Sequence, residues 1–180
     1  MTKFIRTLSI IVLLSLLIAL PPLFSGYRHL ARANAGVDDM QISADYEMAA
    51  RLLFWRADLY EWAGERALHG QDIPRAVRLF EQAARKGALT SSGQLLLGDA
   101  YYDLGQTEKA VNIWKGLLDS NWARGGASQG LVEVYFKRAQ YDEAQPILAK
   151  WLQYDPENPE ANFYQGVLLL TEGAPEALQP

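Results

Sequence analysis

The chain contains no cysteine and only two histidines among its 180 residues. The absence of cysteine excludes disulfides, thiolate catalysis, cysteine–zinc sites and a lipid-modified cysteine. The histidines, His29 and His69, lie far apart, and no His/Asp/Glu spacing around either one predicts a metal site. We therefore expect neither a metal ion nor another cofactor.

Signatures of catalysis are also missing from the sequence. Gly125-Gly126 and the nearby Lys115-Gly116 fit neither nucleotide-binding signature, and no serine lies in a nucleophile-elbow context. The paired carboxylates Asp38-Asp39 and Asp142-Glu143 fit the N-termini of helices better than acid–base chemistry. These observations predict a protein that is not an enzyme and has no small-molecule substrate.

Positive charge is scarce beyond the N-terminal segment. All 21 acidic residues lie at or after Asp38, whereas four of the 17 basic residues precede it. An acidic surface repels phosphate backbones, so we expect no nucleic-acid partner.

One long apolar run lies near the N-terminus. Residues 8–20 are apolar except for two serines, and with Leu23 and Phe24 the run reaches residue 24. As a helix, residues 8–24 would extend roughly 25 Å, slightly less than the roughly 30 Å hydrocarbon core of a bilayer. The run carries no polar stripe that could face water, which argues against a buried core helix. Residues 1–24 are therefore predicted to be a membrane anchor or a signal sequence.

The sequence favours an anchor that is retained over a signal that is cleaved. Ala33-Asn34-Ala35 resembles a cleavage site, but it lies further beyond the apolar run than such sites normally do. Basic residues flank both ends of the run, Lys3 and Arg6 on one side and Arg28 and Arg32 on the other. Because an early span after a short basic start usually leaves its N-terminus in the cytoplasm, we expect a single-pass membrane protein whose remaining chain is extracytoplasmic.

The rest of the chain repeats with a period of 34 residues. Alanine recurs at Ala76, Ala110 and Ala144, and the same interval joins Gly64 to Gly98 and Tyr101 to Tyr135. A period of 34 is typical of stacked helix–turn–helix units. The small residues would let helix backbones approach closely, and the large residues would fill the space between the helices.

The motif Leu97-Gly98-Asp99-Ala100-Tyr101, followed by Ala110 and Trp114, resembles the tetratricopeptide repeat (TPR) pattern. The resemblance implies an all-α fold, a TPR-type α-solenoid of antiparallel helix pairs A and B, preceded here by one N-terminal transmembrane helix. Such a chain is similar to membrane-anchored TPR proteins of the bacterial type. Complete repeats are expected over residues 57–90, 91–124 and 125–158, with a partial repeat over 159–180.

The 34-residue repeat pattern also extends towards the N-terminus. Residues 46–51 match residues 80–85 at the same offset, so residues 25–56 are predicted to be a degenerate leading repeat or cap. At the other end, residues 174–180 are too few for a complete helix B. The chain is therefore expected to be a fragment of a longer protein, or to use its last apolar surface for a partner.

Two local features conflict with the repeat pattern. Pro146 lies inside the third helix B and predicts a kink, or a later helix start near Gln145. Gly125, Gly126 and Gly130 weaken the third helix A, since each glycine costs roughly 1 kcal/mol in a helix interior. We expect Gly125 and Gly126 to lie in the loop and a hinge to separate the second and third repeats.

The family resemblance implies that helix-A side chains line a concave binding surface. In this sequence the matching positions are Glu61, Glu65, Leu68, Leu95, Asp99, Tyr102, Gln129, Glu133, Phe136 and Phe163. They predict an acidic line beside an apolar and aromatic line, which a protein segment with basic and apolar residues would complement.

Three functions remain compatible with these features. The first is a membrane-tethered scaffold or adaptor for protein–protein interaction, held in the membrane by residues 8–24. The second is a secreted or periplasmic TPR protein released by signal cleavage. The third is the N-terminal regulatory part of a larger enzyme or sensor.

Overall fold

A computed structural model gives the fold of the protein and describes residues 2–173. These residues form nine helices and no strand, which confirms the all-α prediction. The helices are α1 (Thr2–Ala35), α2 (Asp39–Leu52), α3 (Leu59–His69), α4 (Ile73–Arg85), α5 (Ser91–Asp103), α6 (Thr107–Leu117), α7 (Arg124–Lys137), α8 (Tyr141–Tyr154) and α9 (Pro159–Gly173). The predicted shortness of the last helix B concerns residues 174–180, which lie outside the described residues.

The chain divides into two compact units, Met1–Leu89 and Thr90–Pro180. The first unit contains α1 to α4 and the second contains α5 to α9. Within each unit, helices that follow one another in sequence pack against one another. Short turns join α3 to α4, α5 to α6 and α7 to α8, as expected for the helix pairs of a solenoid.

The turn inside each pair has the same backbone conformation in all three repeats. Gln71, Gly105 and Ala139 have positive φ angles of 61°, 72° and 53°, and they are spaced at the repeat interval. The next residue in each turn donates its N–H to the carbonyl five positions earlier, at Ala67, Tyr101 and Tyr135. This pattern satisfies carbonyls at the end of each helix A and reverses the chain.

Glycines and alanines allow the helices of a pair to approach closely, as predicted. A Cβ atom at Gly64 would lie 2.8 Å from Phe80, and one at Gly98 would lie 2.6 Å from Nε1 of Trp114. Both distances are too short for a real side chain. Ala76, Ala110 and Ala144 are completely buried, so the repeating small residues belong to the core.

Helix α8 begins at Tyr141 and continues through Pro146, so the expected later start near Gln145 is wrong. The acidic residues Asp142 and Glu143 occupy the first turn, where the helix dipole favours negative charge. Gly125 and Gly126 were expected in the loop but lie in the first turns of α7. A Cβ atom at Gly126 would lie 2.7 Å from Leu95, and one at Gly130 would lie 2.9 Å from Trp114, so close packing explains both glycines.

Helix α1 continues without interruption from the apolar segment to Ala35. Its stretch Ser9–Ala35 is long and apolar enough to cross a membrane, and the most apolar 18 residues of the stretch are almost entirely exposed. The C-terminal part of α1 packs antiparallel to α2, because Gly36 approaches Ile42 while Gly26 approaches Leu52 and Leu53.

The interior of the first unit contains buried acidic groups with basic partners. Glu47 on α2 accepts hydrogen bonds from Arg51, Arg75 and Arg78 at 2.5–3.0 Å. Hydrogen bonding from Arg78 outweighs burial and lowers the pKa of Glu47. These bonds join α2 to α4 and account for an otherwise unfavourable buried charge.

Asp45, two residues earlier on α2, joins α2 to α1. Its Oδ1 lies 2.5 Å from Nδ1 of His29, and Gln41 donates to its Oδ2 at 3.2 Å. Burial would raise the pKa of Asp45, but these hydrogen bonds and the charge of Arg32 lower it. The residues after the apolar run are therefore an integral part of the first unit.

Candidate binding surface

The structure places the ten predicted binding residues on four helix-A elements. Three of them, Glu61, Glu65 and Leu68, lie on α3 in the first unit. The other seven lie on α5, α7 and α9 in the second unit: Leu95, Asp99, Tyr102, Gln129, Glu133, Phe136 and Phe163.

On α3, Glu65 is half-buried and Glu61 is buried. Burial raises the pKa of Glu65, and the neighbouring charge of Glu61 raises it further. Leu68 is also half-buried. This part of the predicted surface therefore exposes less negative charge than the sequence alone indicates.

In the second unit, four of the predicted residues line one hollow of about 240 Å³. Asp99 and Tyr102 are three positions apart on α5, and Gln129 and Glu133 are four positions apart on α7. Residues at these spacings share one face of a helix, so the two pairs face the same space. Asp103, Trp114, Gly126 and Gly130 complete the lining.

Trp114 forms the floor of this hollow. Its indole lies against Gly98 and Gly130, and its Nε1 donates a hydrogen bond to Oδ1 of Asp99 at 3.1 Å. The ring of Tyr102 packs against Trp114 with a centroid separation of 5.7 Å. The sequence pattern marked Trp114 as a core residue, and the structure shows that it also orients a predicted binding residue.

The surroundings of the Asp99 carboxyl disfavour its charge. Asp99 keeps an exposed surface, yet partial burial of its carboxyl in the hollow raises its pKa to about 6. The hydrogen bond from Trp114 opposes this effect, and the charge of Asp103 adds to it. The acidity of the hollow therefore changes within the physiological pH range.

Glu133 has a basic neighbour that the predicted acidic line did not include. Lys137 donates to Oε1 of Glu133 at 2.6 Å and to the hydroxyl of Tyr102 at 2.8 Å. Tyr102 in turn donates to Glu133 at 3.2 Å. The four-residue spacing between Glu133 and Lys137 was a sequence signal for this pair. The negative charge of the hollow consequently rests mainly on Asp99 and Asp103.

The remaining predicted residues contribute apolar surface rather than lining the hollow. Leu95 packs against the backbone of α7 at Gly126. Phe136 packs against Tyr141 and Tyr164, with ring centroids 5.3 and 4.7 Å away. Phe163 is largely exposed and contacts Tyr164 edge-on. The aromatic side chains thus continue from α7 towards α9.

We expect Asp99→Asn to remove a pH-dependent part of the stability. A carboxyl with a raised pKa in the folded state destabilises the fold when it ionises, so its effect is absent below about pH 4 and grows as the pH rises through 6. The variant should therefore be more stable than the native chain near pH 7.5 but not near pH 4. Because Asp99 is exposed and solvent screens its charge, the difference should be only about 1 kcal/mol.

Denaturant unfolding of both proteins at several pH values, followed by circular dichroism, would measure this difference. Asparagine keeps an oxygen acceptor for Nε1 of Trp114, so the substitution changes the charge rather than the hydrogen bond. Parallel stability curves for the two proteins would contradict the prediction.

A second hollow of about 440 Å³ lies between α7, α8 and the start of the loop that follows α6. Its lining includes Arg124, whose guanidinium carbon lies 4.3 Å from the ring centroid of Tyr154. The hydroxyl of Tyr154 donates to the carbonyl of Arg124. This hollow shares no residue with the predicted binding surface. Within residues 2–173, no group of three or more His, Asp or Glu side chains is placed to hold a metal ion.

Known proteins support the repeat assignment. A tetratricopeptide repeat family model matches residues 63–114 and 130–177, which together are more than half of the chain. No curated protein matches the sequence of this chain significantly. Among solved structures, a tetratricopeptide repeat protein from Parabacteroides merdae has a TM-score of 0.72 at 19% identity, covering 83% of this chain. This chain spans 60% of the length of that structure.

Two structures of MamA have the same fold. One has a TM-score of 0.67 at 14% identity and covers 86% of this chain and 82% of its own. The other has a TM-score of 0.62 at 16% identity and covers 72% of this chain and 75% of its own. These structures share the fold, and because the family model matches more than half of the residues, the chain belongs to the tetratricopeptide repeat family.

Proposed function

We propose that the protein is a non-catalytic scaffold that is tethered to a membrane by α1 and binds a segment of another protein on its helix-A surface. The hollow of the second unit is the observation that carries this proposal. Asp99 and Tyr102 from α5 meet Gln129 and Glu133 from α7 there, so side chains from two repeats can contact one ligand. Tetratricopeptide repeats generally bind proteins or peptides.

The chemistry of the hollow favours a partner with a basic side chain beside an apolar one. Asp99 and Asp103 supply negative charge, and Trp114 and Tyr102 supply aromatic surface. The exposed ring of Phe163 adds apolar surface on α9. A lysine or arginine could pair with the carboxylates while a neighbouring apolar residue packs against the rings.

Tethering to a membrane is supported by the exposed apolar surface of α1. Ile10, Leu13, Leu17, Ile18 and Leu20 each expose more than half of their surface. A patch of this kind is unfavourable in water and favourable in lipid. Pro21 and Pro22 lie within the helix, which membrane-spanning helices tolerate.

The packing of α1 argues against release by cleavage at Ala33-Asn34-Ala35. Ala33 is buried, and Asn34 accepts a hydrogen bond from the hydroxyl of Tyr46 at 2.9 Å. Cleavage there would also remove His29 from Asp45 and expose the side of α2 that α1 covers. We therefore favour a retained single-pass anchor over a secreted form, with the repeats outside the cytoplasm because Lys3 and Arg6 precede the span.

Gln129→Arg tests the proposed binding surface. The longer cationic side chain would fill the hollow and neutralise Asp99, so we expect the chain to lose a partner that the native protein retains. The full chain would be captured from detergent-solubilised membranes, and the proteins that co-purify would be quantified by mass spectrometry.

Gln145→Arg is the matched control, because Gln145 is an exposed glutamine on α8 outside the hollow. The control should retain the partner at the native level. Identical sets of captured proteins for all three chains would overturn the proposed surface. Thermal melts of the three proteins would verify that each remains folded.

A further inference from the structure

The loop between α2 and α3 carries two exposed aromatic side chains beside the apolar part of α1. Phe54 exposes 74% of its surface and Trp55 exposes 50%, and their rings meet edge-on at 5.0 Å. Leu53, immediately before them, is completely buried against α1. A Cβ atom at Gly26 would lie 2.7 Å from Cγ of Leu53, so the loop is held tightly at this level of α1.

The position of Gly26 along α1 shows how close the loop lies to the predicted membrane segment. The apolar run ends at Phe24, and Gly26 lies two residues later, about 3 Å along the helix axis. The polar interface of a bilayer extends roughly 5–7 Å beyond each side of the hydrocarbon core. Because α2 runs antiparallel to α1, its C-terminal end returns towards the bilayer and brings the loop to the depth of this interface.

Other side chains at this level have the composition of a membrane interface. Phe24 and Tyr27 on α1 are exposed, and the guanidinium carbon of Arg28 lies 6.0 Å from the centroid of the Phe24 ring. Tryptophan, tyrosine and basic residues are enriched at this depth, where rings contact lipid and polar groups contact water or phosphate. Phe54 and Trp55 extend this composition from α1 to a second segment of the chain.

We propose that Phe54 and Trp55 insert into the interface of the bilayer that α1 spans. The first unit then contacts lipid at two separate points, α1 and the loop from Leu53 to Asp58. Two points of contact restrict the rotation of the unit about the axis of α1. This inference rests on the proposed membrane tether, since only a spanning α1 places the loop at the lipid surface.

Depth-dependent quenching of tryptophan fluorescence tests the proposal. The full chain would be reconstituted into phosphatidylcholine–phosphatidylglycerol vesicles containing lipids brominated either near the headgroup or near the end of the acyl chain. We expect headgroup-proximal bromines to quench the native chain and Trp55→Phe to lose most of that quenching. Bromines near the chain ends should quench Trp55 less.

Trp62→Phe is the matched control, because Trp62 is also partly exposed in the first unit but its ring is covered by Tyr46, midway along α2, and by the guanidinium of Arg56. This variant should keep the quenching of the native chain. Equal quenching of the native chain and Trp55→Phe, in protein that floats with the vesicles, would overturn the loop insertion and leave the tether intact. Failure of the native chain to float after reconstitution would overturn the tether and the loop insertion together.

Discussion

Replacing Trp114 with alanine should lower the free energy of unfolding of the second unit by about 3–5 kcal/mol. The side chain is 2% exposed and fills the space between α5 and α7, where Gly98 and Gly130 leave room for it. Truncation would leave a large cavity, and Asp99 would lose the hydrogen bond from the indole. Denaturant unfolding in detergent, followed by helical circular dichroism, would measure the loss.

Trp122→Ala is the control for this substitution, because Trp122 is 94% exposed in the loop before α7. Surface substitutions away from special features usually change stability by less than about 0.5 kcal/mol. Similar losses for the two variants would show that Trp114 is not the central packing element of these repeats.

Replacing Glu47 with alanine should destabilise the first unit by about 3 kcal/mol. Its side chain is only 8% exposed, and it is the shared acceptor of arginines from α2 and α4. Removal would leave Arg75 without this partner in a partly buried site. The partial exposure of Arg51 and Arg78 lets water replace some of the lost interactions, which places the expected value at the lower end of the range for buried ion pairs.

The pH dependence of this variant should have a defined sign. The pKa of Glu47 is lowered in the folded chain, so its stabilising effect is fully present above its unfolded pKa of about 4.5 and is lost as the pH falls below that value. The difference between the native chain and Glu47→Ala should therefore be largest near neutral pH and should shrink in acid.

Glu81→Ala provides a control at the equivalent position of the next repeat. Glu81 forms a longer ion pair with Arg85, at 3.5 Å, on a more exposed part of the surface. Exposed pairs of this kind contribute about 1 kcal/mol or less. Equal destabilisation by Glu47→Ala and Glu81→Ala would show that the hydrogen bonds from Arg51, Arg75 and Arg78 to Glu47 do not stabilise the first unit.

The periodic part of the sequence predicted the helix pairs well because its signals are local. Gly98 and Trp114 lie within one repeat, so a glycine at one position and a large ring at the other are sufficient to indicate their contact. The same reasoning applied to Gly64 and Phe80. The turns recur at the same interval, although Gln71 and Ala139, which occupy the position of Gly105, are not glycines.

Contacts between different repeats could not be predicted in the same way. Glu47 and Glu81 occupy matching positions in the repeat register, yet only Glu47 is buried beneath arginines from another helix. Gly126 was interpreted as a loop residue because its partner, Leu95, is on α5 and gives no local signal. The joint lining of the hollow by α5 and α7 likewise required the packing of two repeats to be known.

If α1 spans a membrane as proposed, its uninterrupted course would give the bilayer a mechanical influence on the rest of the first unit. The apolar run is roughly 5 Å shorter than a typical hydrocarbon core, so a thick membrane would have to thin locally, whereas a thin one would fit it more closely. Pro21 and Pro22 remove two hydrogen bonds from the helix, and bending would concentrate there. Residues beyond the prolines pack against α2 and would move with it as one rigid body. A change in membrane thickness would therefore alter the height and tilt of α2 to α4 relative to the lipid.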